Sequence, residues 1–430
     1  MLCCEHVCSV LRLRDASNRG YLVMTSRVPA AAIWALGITQ IVGYGTLYYS
    51  FSVLAPAIGA TFNWSPEWTF GALTIALLAG GLVSPLSGHV IDRWGAVPAM
   101  TAGSLAVGLA LVLMAFAANG YLFAAALILM EAASTLVLYA AAFAALVQLG
   151  GRSAQRSITH LTLIAGFAST IFWPLTAALL SWMDWRSVYL VFAAFNVVVC
   201  APLHLWLGRI PQYIAESDLV GTNDSGGKAS VHLPQSRRSL GFALVLVAFA
   251  LQGVLMSAVT LQIVPLLTTL GLGGSMVLIT TVFGPAQVLS RLTNMVFGKD
   301  FPATSLAIVA AVLLPAGTML LALTAPSTTG AVLFALLFGL GSGLTSIVSG
   351  SLPLQLFGRE RYGTRLGWLS SARQIASAVA PFAMAVVMGL VGVPLSLWVV
   401  VAIGAVPIVV FAWVAAMTRS EVPGAIPKIA

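Results

Sequence analysis

Residues 67–117 read EWTFGALTIALLAGGLVSPLSGHVIDRWGAVPAMTAGSLAVGLALVLMAFA, two long apolar stretches joined by one short polar turn. About 20 apolar residues wound into a helix cross the hydrocarbon core of a bilayer. The bilayer offers no water to unpaired backbone groups, so a continuous helix is the structure such a stretch adopts. Outward from this pair the pattern recurs along the chain. The apolar stretches fall near 29–60, 67–91, 96–117, 121–148, 158–181, 186–208, 239–270, 275–298, 302–324, 330–353, 366–392 and 394–417. The expected fold is therefore an all-α membrane protein of twelve transmembrane helices.

The segment between the sixth and seventh stretches differs from every other. It carries Gly221-Thr222-Asn223-Asp224-Ser225-Gly226-Gly227-Lys228, lacks apolar periodicity and reads as a flexible connector. It divides the chain into a tail at 1–28, a six-helix half at 29–208, a linker at 209–238, a second six-helix half at 239–417 and a tail at 418–430. Two related halves of this kind are the layout of many solute carriers.

Composition supports the membrane reading. Of 430 residues, 60% are hydrophobic and 7% charged, whereas about a quarter of a soluble domain is charged. The 40 glycines and 20 prolines lie largely within apolar runs, where small residues allow close helix packing and prolines introduce kinks. The net charge of +8 is not a nucleic-acid footprint, because the basic residues sit between the spans and on alternate sides. Arg12, Arg14, Arg19, Arg27, Arg93, Arg152, Arg156, Arg209, Lys228, Arg237, Arg238, Lys299, Arg359, Arg361, Arg365, Arg419 and Lys428 all fall on one side, and only Arg186 on the other. The positive-inside rule places both termini and the linker in the cytoplasm, in a cytoplasmic (inner) membrane. The loops on the opposite side are too short for an extracellular domain.

Cys3, Cys4 and Cys8 crowd the N-terminus and Cys200 lies in the sixth span. In a reducing cytosol they suggest no disulfide framework. The prefix at 1–23 is polar, and Met24 stands just ahead of the first span, so residues 1–23 are expected to reflect a start called too early. No metal or cofactor is expected. No Walker A run and no H-E-x-x-H are present, so neither ATP hydrolysis nor zinc chemistry is indicated, and the chain is expected not to be an enzyme.

The turn inside the opening stretch is Gly88-His89-Val90-Ile91-Asp92-Arg93-Trp94-Gly95. Glycines permit a tight turn and close helix contact, and the carboxylate and guanidinium can pair across the helix ends. This run resembles the G-x-x-x-D-R-x-G signature of the major facilitator superfamily, which implies a conformational latch made by Gly88, Asp92, Arg93 and Gly95. Gly298-Lys299-Asp300 is at best a degraded copy in the second half. The run Gly43 to Phe51 and the Asn63-Trp64-Ser65 turn are similar to the monocarboxylate and oxalate–formate branch of bacterial carriers. Leu138-Tyr139 with Phe143, Gly166 to Thr170, and Asp184-Trp185-Arg186 are similar to carriers near that branch.

Two arginines fall inside spans. Arg291 and Arg373 each sit roughly 9–12 Å from the cytoplasmic ends of their spans. An arginine at that depth needs a water-filled cavity or a partner. The resemblance implies that both line the transport cavity and hold a substrate carboxylate, which the planar guanidinium fork fits. Bracing of the cytoplasmic gate, against helix C-terminal carbonyls or Glu360, is the alternative for both. Gln287 stands where monocarboxylate carriers tend to have an acid, so coupling through that position is in doubt. Glu131 is the acid placed deep in a span and is the candidate for proton coupling. Tyr44, Tyr48 and Gln262 are further candidate substrate-binding residues.

These readings imply a secondary transporter working by alternating access on a small organic anion such as a monocarboxylate. The expected partners are that small-molecule substrate, a proton or counter-solute and the lipid bilayer, with no nucleic acid, and the carrier is expected to be a monomer. The alternatives are an efflux pump for a drug-like or toxic compound, arsenite-type species included, and a non-transporting membrane sensor.

Overall fold

The computed structural model describes residues 28–150, 154–210, 233, 235–298 and 301–419. The cysteines at 3, 4 and 8, nearly all of the linker, Lys299, Asp300 and the C-terminal tail lie outside the described residues. Among the described residues every regular element is helical. They form α1 (Ala30–Phe62), α2 (Pro66–Trp94), α3 (Ala96–Ala115), α4 (Gly120–Gly150), α5 (Ala154–Trp182) and α6 (Trp185–Leu207). Then follow α7 (Arg238–Leu261, continued by Ile263–Thr269), α8 (Met276–Phe297), α9 (Ala303–Thr324) and α10 (Thr328–Phe357). The last stretch, Tyr362–Arg419, is two helices joined across Gly392, whose φ of 79° breaks it into α11 (362–391) and α12 (393–419). These are the twelve expected helices.

Local chemistry sets the helix starts at one face. Ser65 accepts from the Trp68 amide, Asn119 from Leu122, Asp184 from Ser187 and Ser327 from Gly330. Each side chain satisfies an amide that the first helical turn leaves without a partner. At Asp184 the Ser187 hydroxyl, with the Ser187 amide, holds the carboxyl below the ordinary carboxylate range. Glycine is required at Gly95 and Gly392, where φ is 93° and 79° and the chain reverses within one residue.

Packing divides the molecule by depth. The face where α6 ends and α7 begins is here the linker face. At that face one buried cluster draws on both α1–α6 and α7–α12, through Leu36, Phe143, Phe249, Leu356, Leu366 and Phe411 among others. At the opposite face the core splits. One cluster around Leu54, Met114, Phe123 and Tyr189 belongs to α1–α6. Another, around Leu255, Leu267, Phe338 and Leu397, belongs to α7–α12. The two helix groups are thus joined at the linker face and separate at the other.

Five helices depart from regular winding, α5 between Ala165 and Ala168 and α7 at Gln262 among them. Residues Gly45–Tyr49 in α1 and Phe195–Cys200 in α6 are wound as π-turns. Asn196 in the second donates to the Thr46 hydroxyl in the first at 3.1 Å. α4 is interrupted between Ser134 and Tyr139.

Candidate functional site

The site begins with the closure of the linker face. Asp92, at the end of α2, accepts from the Gly363 amide at 2.8 Å, the Thr364 amide at 2.7 Å and the Thr364 hydroxyl at 2.6 Å. Those amides open α11, so the carboxylate caps a helix start and faces the positive end of its dipole. Glycine makes the approach possible. A Cβ on Gly88 would meet the Gly363 carbonyl, and one on Gly367 would lie 2.5 Å from the Ser84 carbonyl. Asp92 thus holds backbone amides of α11, Arg93 is exposed, and the guanidinium within range of the Asp92 carboxylate is that of Arg365. A second tie crosses nearby, where Arg359 donates to the Val147 carbonyl at 3.1 Å.

On the other flank α8 meets α5. Arg291 is 4% exposed. It donates to the Ser346 hydroxyl at 3.1 Å and reaches the Gln287 amide oxygen at 3.5 Å. Its Nε is buried with no partner. The guanidinium packs on Gly166, where a Cβ would meet Nη1. One turn further along α8, Asn294 donates to Thr159 of α5 at 3.5 Å. Among the described residues neither Glu360 nor a helix C-terminal carbonyl holds Arg291.

Arg373 differs in depth and in company. α11 begins at Tyr362, four residues earlier than the apolar pattern indicates. Arg373 therefore lies about 16 Å into its helix, and Arg291 only about 9 Å into α8 from the linker face. Arg373 edges a small cavity between the helix groups, lined by Phe143 of α4, Phe249 of α7, Ser349 of α10 and Leu366, Leu369 and Ser370 of α11. No hydrogen bond holds its guanidinium among the described residues. Its stem packs on Gly253 of α7. Tyr44, Tyr48 and Tyr139 lie within the range of its charge, and Tyr139 also lies within that of Arg291.

An aromatic wall from α1 and α4 bounds this region. Tyr44 and Tyr139 have ring centroids 4.7 Å apart, and Tyr139 stacks on Phe143 at 5.1 Å. Tyr48, half exposed, sets its ring edge-on to Tyr49 at 5.4 Å. Gln262, at the break in α7, donates to the Pro381 carbonyl at 3.1 Å and so ties α7 to α11. Glu131 is buried in α4, and Ser134 donates to its Oε2 at 3.4 Å. Tyr48 lies within range of both Glu131 and Arg373, Arg291 within range of Tyr49 and Tyr139, and Gln262 is held by the Pro381 carbonyl.

The motif-based reading did not single out Ser349 and Ser370 as lining residues, nor Tyr139 as a ring within range of both arginines. It also missed a matched pair of caps. Gln148 of α4 accepts from the Ala96 amide that opens α3, at 2.8 Å. Gln355 of α10 accepts from the Ala303 amide that opens α9, at 2.5 Å. Both pairs span 52 positions, and the second repeats the first 207 positions later (303 minus 96). That spacing was open to inspection, but a lone Gln in an apolar helix gives no signal by itself. Among the described residues no group of His, Cys, Asp and Glu could hold a metal ion.

The family model described as Major Facilitator Superfamily matches residues 36–381. No curated relative matches the chain. Solved structures do. The human organic anion transporter MFSD10 (TETRAN) is 15% identical with a TM-score of 0.66, over 89% of this chain and 100% of that one. The transporter FucP in its outward conformation is 16% identical with a TM-score of 0.67, over 89% and 98%. The proton:xylose symporter XylE, bound to 6-bromo-6-deoxy-D-glucose, is 13% identical with a TM-score of 0.64, over 89% and 96%. At these identities the likeness is one of fold.

Proposed function

The chain belongs to the Major Facilitator Superfamily, and from that premise we propose that it moves a small organic anion, such as a monocarboxylate, across the cytoplasmic membrane. The observation that carries the anion is Arg373. A guanidinium at mid-depth is costly unless water or a partner meets it, and this one borders a cavity with no hydrogen-bond acceptor holding it. Tyr44 and Tyr48 stand within reach of its charge and would flank the carboxylate. Arg291 is the second anion ligand, and Gln262, tied to the Pro381 carbonyl, is a further substrate-binding residue. The MFSD10 likeness is compatible with an anion, but the sugar symporters share the fold equally.

Transport would proceed by rocking of two halves, 29–208 and 239–417, about this site, with 209–238 joining them in the cytoplasm. The repeated caps at Ala96 and Ala303 and the separate cores at the opposite face support that division. With the linker face cytoplasmic, the described state is closed inward and parted outward, and Gly88, Asp92, Arg93 and Gly95 form its latch. Glu131 is the proposed proton site.

Uptake of a labelled monocarboxylate panel into proteoliposomes tests the reading. At least one carboxylate should accumulate with the wild type. Arg373→Gln should weaken its binding by roughly 1.5–3 kcal/mol, about tenfold to more than a hundredfold. Arg373→Lys keeps the charge without the fork and should be milder. Glu131→Gln should abolish accumulation driven by a pH gradient and spare exchange. Uptake confined to neutral or cationic solutes would overturn the anion assignment.

A further inference from the structure

The two intramembrane arginines are in different situations. Arg373 borders a cavity, and among the described residues no acceptor holds it. Arg291 is buried, and its seat is built from three helices: Gln287 on its own α8, Ser346 on α10 and Gly166 on α5. Two of these belong to α7–α12 and move with Arg291. Gly166 belongs to the other group. It lies where α5 is interrupted, between the segments Ala154–Ala165 and Ala168–Trp182.

The seat is incomplete as a permanent home for a cation. Its acceptors are neutral, one of them at the 3.5 Å limit, and Nε is buried without a partner. No acid offsets the charge in the contacts of this side chain. A buried charge so poorly compensated is costly. It is tolerated where the surrounding closure excludes an alternative and gives way when that closure opens. Gly166 and the neighbouring Asn294–Thr159 contact are the parts of this junction that α5 supplies.

We infer that the packing of Arg291 on Gly166 is a bolt that withholds this guanidinium from the transport path until the linker face opens. The anion then meets one arginine in the described state and two in the state open to the linker face. A ligand that gains contacts in one state shifts the population toward that state, so the substrate itself would draw the carrier open. This consequence rests on the anion reading of the site. The bolt does not.

A methyl group probes the bolt. The backbone at Gly166 is outside the left-handed region, so alanine is allowed there, and its Cβ would collide with Arg291 Nη1. Gly166→Ala must displace the guanidinium from Ser346 or part α5 from α8. The reporter is Leu366→Cys, at a position 3% exposed on the linker-face side of the cavity that Arg373 borders, in full-length protein with Cys3, Cys4, Cys8 and Cys200 changed to Ser. Gly166→Ala should speed thiol labelling of position 366 about tenfold, as expected for loss of one hydrogen bond to a charged group. Arg291→Ala should also speed it, and the double variant should label no faster than Arg291→Ala alone. A second readout needs no reporter. Phenylglyoxal followed by peptide mass spectrometry should modify Arg373 and spare Arg291 in the wild type, and modify both in Gly166→Ala. Unchanged labelling in Gly166→Ala, an equal acceleration in the Arg291→Ala background, or ready modification of Arg291 in the wild type would overturn the bolt. Failure of every carboxylate to bind would remove the anion reading and leave these readouts as they are.

Discussion

At the scale of single residues, the interactions that close the linker face are few and polar. Asp92 caps the first turn of α11 through three hydrogen bonds and is itself exposed. A carboxylate at an exposed helix start contributes roughly 0.3–1 kcal/mol through the dipole, which suits a contact that must break in every cycle. Asp92→Asn keeps the shape, removes the charge and turns an amide donor toward backbone donors. The expected outcome is normal insertion with a shift of about 1 kcal/mol toward the open linker face, roughly fivefold in population. Thiol labelling at Leu366→Cys measures it, and an unchanged rate would reduce the motif to a turn. The motif and its place were legible in the sequence. Its partner was not, because Gly363 lies 271 positions away and carries no side chain to read. The same contact explains the misplaced start of α11. Tyr362 to Arg365 is polar and reads as loop, yet Asp92 supplies the cap that makes it helix. Arg373 is thereby carried deeper than Arg291, a difference that apolar periodicity alone cannot give.

At the scale of elements, helix number and order were legible because each turn has its own chemistry. Ser65-Pro66, Asn119, Asp184 and Ser327 cap, and Gly95 and Gly392 reverse the chain. The π-turns of α1 and α6 and the interruption of α4 were not legible. They arise where helices approach one another, as at Gly45, whose Cβ would enter the Phe172 ring. The end of α3 shows how such approaches are secured. Arg186 of α6 donates to the Ala115 and Ala117 carbonyls at 2.7 and 2.9 Å. Its guanidinium lies over the Trp185 ring at 4.5 Å and the Phe62 ring at 5.7 Å. This lone basic residue of the opposite face therefore has a structural task, closing α3 where the helix leaves carbonyls unpaired. Arg186→Ala should lower stability by about 2–3 kcal/mol and leave affinity at the central site unchanged. Thermal unfolding in detergent measures the first effect and ligand titration the second. Lysine at this position keeps the charge but not the two-carbonyl reach, and should recover only part of the loss.

At the scale of the whole molecule, the division of the core by depth has a mechanical consequence. One cluster shared by α1–α6 and α7–α12 at the linker face, and separate clusters at the other, leave the two groups joined at one end and apart at the other. In the rocking proposed above, closing the opposite face would take the shared cluster apart, so the two closures would exclude each other. Residues at the two levels should therefore report opposite accessibilities. In a cysteine-free background, Tyr48→Cys, half exposed in α1, should react with a membrane-impermeant thiol reagent added outside. Leu366→Cys, 3% exposed, should resist the same reagent from the cytoplasm. A reporter fused after Ala430 that is active only in the cytoplasm fixes which side is which, and it should give signal. Asp92→Asn should reverse the pattern, slowing the reaction at position 48 as it speeds the one at 366, because one rocking motion governs both. If both positions sped up together, the variant would have loosened the fold without moving it between states, and the two faces would not be coupled through a single rigid-body exchange.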